Sequence, residues 1–113
     1  MTDDQPRVVA EITHRARQQC YRYPITDGKQ TEQDVEALRA ELEKNPTLGK
    51  PVQGAAGEAL GLRTTRLEAT SYRPALTITY AYDEPPQDAH DAPGLVRIAL
   101  VTAVIIPRDG TAI

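Results

Sequence analysis

The sequence is poor in several residue types, and each shortage restricts what the chain can be. Cys20 is its only cysteine, so an intramolecular disulfide is excluded, and with it the disulfide framework of a small secreted domain. Trp and Phe are absent, and five Tyr supply the whole aromatic content of 4%. A hydrophobic core must therefore be built mainly from Val, Ile, Leu and Ala.

Long apolar runs are absent as well. The longest candidate, from Ile98 to Ile106, has the length of a β-strand and falls short of the ~20 residues with which a helix spans a bilayer. The segment from Met1 to Pro6 is acidic and polar and carries no hydrophobic signal region. Together with the single cysteine, these features predict a cytoplasmic protein without a membrane partner.

Positive charge is not in excess, because 13 Lys and Arg stand against 16 Asp and Glu and give a net charge of −3. Nonspecific adhesion to nucleic acid depends on a strong excess of cations that displace counterions, so we do not expect it. Most of the basic residues are Arg, whose planar guanidinium suits bidentate contacts with carboxylate or phosphate. High Arg usage also follows from a GC-rich genome, and the composition leaves both explanations open.

The first half of the chain predicts one strand and two helices. Residues 7–13 fit both strand and helix periodicity, and we interpret them as a short strand. Thr13 caps a first predicted helix that ends at Tyr23, before a proline. Thr31 opens a second helix that runs to Lys44, because Thr-Glu-Gln-Asp places an acid three residues after a capping hydroxyl. Residues 49–61 are rich in Gly and Ala without the Walker order, and we expect a mobile connecting loop there.

The second half predicts a β-hairpin. In its second strand Leu76, Ile78, Tyr80 and Tyr82 alternate onto one face, which we expect to be buried. The first strand, residues 62–67, is less regular, since its last leucine falls on the face opposite to its first one. We therefore expect a bulge near its two central threonines.

A last strand is predicted from Leu95 to Ile106, apolar on both faces from Ile98 onward and so central and covered on two sides. The loop before it holds Asp88, His90 and Asp91, which we interpret as an exposed loop and not as a metal site. We predict no metal and no cofactor. With a length of 113 residues and no break in composition, we expect a single α+β domain over residues 1–113 with short flexible termini. Its predicted order is β-α-α-β-β-β, with an antiparallel sheet of three to four strands packed against two N-terminal helices.

The hairpin reads Gly-Leu-Arg-x-x-Arg-Leu, then Tyr-Arg, then Leu-x-Ile-x-Tyr, and it follows a helix stop at Asn45-Pro46 with Gly49 beyond it. From about Arg7 to Ile106 this arrangement resembles the RelE/ParE superfamily of bacterial type II toxin-antitoxin toxins. The resemblance implies a small sheet with helices on one side and a basic concave face. It also implies a cognate antitoxin as partner. Members similar to RelE cut messenger RNA on the ribosome, and members similar to ParE inhibit DNA gyrase without being nucleases.

The resemblance also implies roles for individual arginines. In the cutting branch a ribose 2′-hydroxyl attacks the adjacent phosphate, while cationic side chains stabilise the growing negative charge. Arg63 and Arg66 are the expected catalytic residues, and Arg73 and Arg108 are expected to bind. Cutting members usually carry His, Arg or Tyr groups on or just after the final strand. Here only Arg108 lies there, so whether the chain is an enzyme stays open.

Two other interpretations remain at this point. Arg63, Arg66 and Arg73 can be surface residues paired with nearby acids such as Glu68. They also suit an acidic protein partner, such as an antitoxin tail, as well as they suit RNA. The alternative function is therefore a non-catalytic α+β protein-binding module.

Overall fold

The structure is a computed structural model that describes residues 7–84 and 93–104. These residues form strands and helices in the order β1 (Val8–Ile12), α1 (His14–Gln19), α2 (Gly28–Lys44), β2 (Lys50–Pro51), α3 (Ala55–Leu60), β3 (Leu62–Leu67), β4 (Leu76–Asp83) and β5 (Gly94–Ala103). The predicted α+β class is confirmed, as is the start of the chain with a strand and two helices. The predicted exposed loop around Asp88, His90 and Asp91 lies outside the described residues.

The strands form one five-stranded sheet in the order β1-β5-β4-β3-β2. All neighbouring pairs are antiparallel except β1 and β5, which run parallel with Val8 opposite Gly94 and Ile12 opposite Ile98. The sheet is therefore mixed and has one strand more than the upper end of the prediction. α1 and α2 belong to the long connection that such a parallel pair requires, and they pack on one face of the sheet.

The core lies between this helix-covered face and the helices. α1 packs on β5, and α2 packs on β1. The predicted alternation of the second hairpin strand is confirmed, because every second residue from the start of β4 is buried and Tyr82 is partly buried. The buried apolar residues that form the core cluster are Ala10, Ile12, Ala16, Cys20, Val35, Leu38, Leu42, Leu76, Ile78, Tyr80, Val96, Ile98 and Val101.

α1 and α2 each begin at a side-chain cap, and only the cap of α1 is the predicted one. Thr13 caps α1, since its Oγ1 accepts a hydrogen bond from the backbone N–H of Ala16 at 3.2 Å. α1 is shorter than predicted and ends before the Tyr23 stop. The predicted cap at Thr31 is wrong, because the carboxylate of Asp27 caps α2 about one turn earlier. Thr31 lies inside the helix, fully buried, and donates its hydroxyl proton to the carbonyl of Asp27 at 2.8 Å.

The segment predicted as a loop from residue 49 to 61 contains β2 and α3 instead. α3 ends at Gly61, which has a φ of 63°. A side chain there would place its Cβ 2.5 Å from the carbonyl oxygen of Tyr82. Gly61 is therefore required both by its left-handed backbone and by the close approach of β4, and it sets where the hairpin begins.

The register between β3 and β4 is regular, with Leu62 opposite Ala81 and Leu67 opposite Leu76. The predicted bulge in the first hairpin strand is wrong. The irregularity of the sheet lies between β4 and β5, at Thr79 and Tyr80. No bulge is needed in β3 because its two leucines are half-buried on opposite faces of the sheet.

β5 is central, as predicted, but α1 and α2 cover only one of its faces. Leu95 is exposed, and Ala99 and Leu100 are only partly buried. Cover on two sides is therefore wrong for the described residues. We call the sheet face opposite α1 and α2 the open face; by register it carries Val9, Glu11, Lys50, Leu62, Thr64, Arg66, Thr77, Thr79, Ala81, Asp83, Leu95, Arg97, Leu100 and Thr102. None of the helices in residues 7–84 and 93–104 has the length and apolar character to cross a membrane.

Candidate functional site

Arg63 and Arg66, the two residues predicted to be catalytic, lie on opposite faces of the sheet. Arg63 stands across from the buried Tyr80, and Arg66 stands across from Thr77 on the open face. Successive side chains of a regular strand alternate between faces, so residues three apart cannot share one. The hairpin therefore does not bring these two guanidinium groups together.

Arg63 is bound to the backbone of the loop between α2 and β2. Its Nη1 donates hydrogen bonds to the carbonyl oxygen of Gly49 at 2.7 Å and to that of Thr47 at 3.5 Å. The hydroxyl of Tyr80 joins the same loop, donating to the carbonyl of Pro46 and accepting from the N–H of Gly49, both at 2.8 Å. Burial raises the pKa of Tyr80, so its hydroxyl stays neutral and keeps both bonds. Arg63 thus holds a loop in place.

Arg73, predicted to bind a ligand, has a side chain that is only 4% exposed. Its Nη2 forms an ion pair with Asp34 of α2 at 3.0 Å, and its Nη1 donates to the carbonyl of Glu68 at 2.7 Å. The guanidinium also lies 5.5 Å from the ring centroid of Tyr72. These contacts fasten the loop between β3 and β4 to α2.

The electrostatics of Asp34 agree with this structural role. Burial alone would raise the pKa of its carboxyl, but hydrogen bonds from Tyr72, Arg73 and Gln30 outweigh it and hold the pKa below its usual value. Asp34 is therefore charged at neutral pH and bonded on both oxygens. An arginine held this way has little freedom to bind an outside anion.

Arg66 differs from the other two hairpin arginines because its side chain is 58% exposed. Its one ion pair within the described residues is a contact of 3.8 Å with the exposed Glu68. Next to it on the open face lies Lys50, whose β2 position is opposite Thr64. Both side chains line a cleft of about 410 Å³. We call it the basic cleft; it is lined by Leu48, Lys50, Thr64, Thr65, Arg66 and Thr77.

Lys50 lies in the segment predicted as a loop, and the sequence alone assigns it no functional role. The signal that could have found it is the pair Lys50-Pro51, since a proline after an exposed lysine is common in a short edge strand. Arg108, the fourth predicted site residue, lies outside the described residues, and its binding role stays a prediction.

The two edges of the sheet are unequal. At the β1 edge, the N–H of Ala10 donates to the carboxylate of Glu43 at 2.9 Å, and its carbonyl accepts from Arg39 at 3.1 Å. Glu43 and Arg39 also bind each other. The backbone hydrogen bond from Ala10 is the main reason that the pKa of Glu43 lies below its usual value. Side chains of α2 thus occupy the backbone groups of the middle residue of β1, which a further strand would need at this edge.

Metal binding and thiol chemistry are both unsupported by the described residues. No group of three or more His, Cys, Asp or Glu is placed to hold a metal ion in residues 7–84 and 93–104. Cys20 is fully buried, and burial raises the pKa of its thiol to about 11. Its thiolate fraction at neutral pH is therefore very small, and the thiol is a core group.

Comparison of the sequence with protein-family models, with curated proteins and with solved structures returned no match.

Proposed function

We propose that this chain is the toxin component of a type II toxin-antitoxin module, similar to RelE/ParE toxins, and that it acts by contacting a protein target such as DNA gyrase. In this proposal it does not cut messenger RNA. The observation that carries the choice of mechanism is the distribution of the hairpin arginines. Of these three arginines, Arg63 and Arg73 are bound to internal partners, and Arg66 alone has a mostly exposed side chain.

The toxin assignment is supported by the fold that the resemblance implies. The chain has a small sheet with α1 and α2 on one face and the other face uncovered by them. The order of the main elements, with the hairpin and the last strand after two helices, also fits. A cognate antitoxin is the expected partner, and an acidic segment of it would complement Arg66 and Lys50.

The choice against cleavage follows from the chemistry of phosphate attack. Several cations must converge on one phosphate, and a neighbouring acid or base must move protons. Arg63 faces the helix side and is bonded to two carbonyl oxygens, so it cannot join Arg66 at a phosphate on the open face. The described lining of the basic cleft offers threonine hydroxyls and two cations, and no histidine. The carboxylate of Glu68 lies 3.8 Å from Arg66, but its side chain is 80% exposed and is not part of this lining.

Two assays on the purified chain test the mechanism. In a translating extract, transcripts should stay intact, and with purified gyrase, supercoiling should be inhibited. Arg66→Ala should weaken the inhibition. Arg97→Ala is the matched control, because Arg97 lies on the same face and its side chain is 57% exposed, against 58% for Arg66. Transcript cleavage that is lost in Arg66→Ala would instead assign a ribosome-dependent ribonuclease and overturn the proposal.

The second candidate is a non-catalytic protein-binding module that is not a toxin. It is favoured by the basic cleft, which needs no toxin activity to bind a partner. The adjacent reading frame separates the two candidates. A short partner with a DNA-binding start and an acidic or amphipathic end supports the toxin, and no such neighbour supports the module.

A further inference from the structure

We propose that the basic cleft binds an acidic, extended segment of a protein partner, which adds to the sheet at the free end of β3. The inference deepens the proposed function, since it rests on action through protein contact and names the place and the chemistry of the partner. Three features carry it: the backbone groups at this edge, the two cations beside them, and the occupied backbone of Ala10 at the opposite edge.

The backbone of Arg66 points toward the uncovered edge. The N–H of Val52 donates to the carbonyl of Leu62 at 2.9 Å, and Lys50 pairs with Thr64. Backbone groups of a strand alternate in direction, so those of Arg66, two residues further on, face the same side. β2 does not reach that far, because the chain before it turns away at Leu48, whose N–H bonds to the carbonyl of Asn45. An extended peptide can bond to such an edge.

The side chains around this edge select a carboxylate. Lys50 and Arg66 lie on the same face of neighbouring strands, two positions apart, where Cβ atoms are typically about 7–8 Å from each other. An Asp or Glu side chain fits between two cations at that spacing. The contact of Arg66 with Glu68 is long and exposed, and a ligand carboxylate replaces it at little cost. Leu48 is exposed and offers an apolar wall for a neighbouring side chain.

The same features disfavour two other occupants. A second copy of this chain, paired edge to edge through β3, would bring Arg66 and Lys50 of both copies together, and like charges across strands destabilise pairing. A nucleic acid strand requires more cations than this cleft and a net charge of −3 provide. At the β1 edge, Glu43 and Arg39 already occupy the backbone of Ala10, so an added strand is directed to β3.

The test uses the full chain labelled with ¹⁵N and the probe peptide acetyl-Val-Glu-Val-Glu-Val-Glu-amide. Amide shifts should move at Lys50 and at residues 64–67 and stay constant at Ala10. The peptide with Lys in place of Glu should bind at least about tenfold more weakly. Arg66→Glu should weaken the binding of the acidic peptide by about the same factor. Arg97→Glu, which makes an equal charge change at an equally exposed arginine, should leave binding within about twofold.

A second pair of variants separates backbone from charge. Arg66→Ala removes the guanidinium and keeps the N–H, whereas Arg66→Pro removes both without a loss to the β3–β4 ladder. Arg66→Pro should therefore bind the peptide more weakly than Arg66→Ala, provided both give a folded amide spectrum. Equal binding of the two would overturn strand addition. Shifts confined to β1, or equal binding of the acidic and basic peptides, would overturn the site.

The outcomes keep this site apart from the toxin proposal. Peptide binding at Arg66 by a chain that does not inhibit gyrase or growth would support the site and contradict the toxin proposal. Toxicity without any amide shift at residues 64–67 on addition of the peptide would contradict the site and support the toxin proposal.

Discussion

Replacing Arg73 by Met tests whether this arginine belongs to the fold or to a ligand site. Met keeps most of the length of the aliphatic stem and removes the guanidinium. The variant loses the ion pair to Asp34 and the hydrogen bond to the carbonyl of Glu68, both made by a side chain that is almost fully buried. If Arg73 instead served a ligand, its removal would leave the fold nearly unchanged.

The size of the effect follows from these contacts. Removing one partner of a buried ion pair costs about 3–5 kcal/mol, because the other charge is left without compensation. Asp34 is partly exposed and keeps its bonds from Tyr72 and Gln30, so the lower end, about 3 kcal/mol, is expected. For a chain of this size such a loss lowers the melting temperature by roughly 10 °C.

Urea unfolding followed by circular dichroism at pH 7 measures this loss. Arg66→Met is the matched control, since it makes the same chemical change at an exposed arginine with only a 3.8 Å contact to Glu68. It should change the free energy of unfolding by less than about 0.5 kcal/mol. If the two variants were equally stable, the structural role of Arg73 would be refuted.

Three further predictions concern Tyr80, Asp34 and Cys20. Tyr80→Phe should cost about 1–3 kcal/mol in urea unfolding, because a buried N–H and a partly buried carbonyl lose their partner. Tyr82→Phe should be nearly neutral, since its hydroxyl makes no hydrogen bond within the described residues. Equal losses in the two variants would contradict this account. The pKa of Asp34 is lowered in the folded state, so its contribution to stability is present above the ordinary carboxyl pKa and is lost as the pH falls through the folded value. In Asp34→Asn, the free energy of unfolding should therefore depend less on pH below about pH 4. An unchanged slope would contradict the hydrogen bonds that lower this pKa. Cys20 has a pKa of about 11 and is buried, so it should react with a thiol reagent at pH 8 only after unfolding, and rapid labelling of the folded chain would contradict its core position.

Much of the fold could be predicted from local pattern. Alternation in β4 places Leu76, Ile78 and Tyr80 in the core, because a strand with one buried face has period two. The cap at Thr13 was also readable, since its side chain acts within three residues. Two residues near the start of α2 have side chains that can cap a helix. The earlier one, Asp27, caps α2, and Thr31 is buried inside the helix.

Features that depend on distant contacts could not be predicted in this way. The parallel pairing of β1 with β5 joins residues more than eighty positions apart, and nothing local to either strand encodes its direction. The candidate site likewise has a part that local spacing predicts and a part that depends on distant contacts. The spacing of Arg63 and Arg66 already implied opposite faces in a regular strand, and the expected bulge obscured it. The internal bonds of Arg63 and Arg73 depend on where loops from elsewhere in the chain lie.

Growth of a bacterial host after induced expression, without the neighbouring gene, tests the central claim most directly. The chain should arrest growth while transcripts stay intact. Arg66→Ala should restore growth, and Arg97→Ala, at an arginine of equal exposure, should not. Normal growth with abundant folded wild-type protein, or an arrest that Arg66→Ala leaves unchanged, would contradict the account.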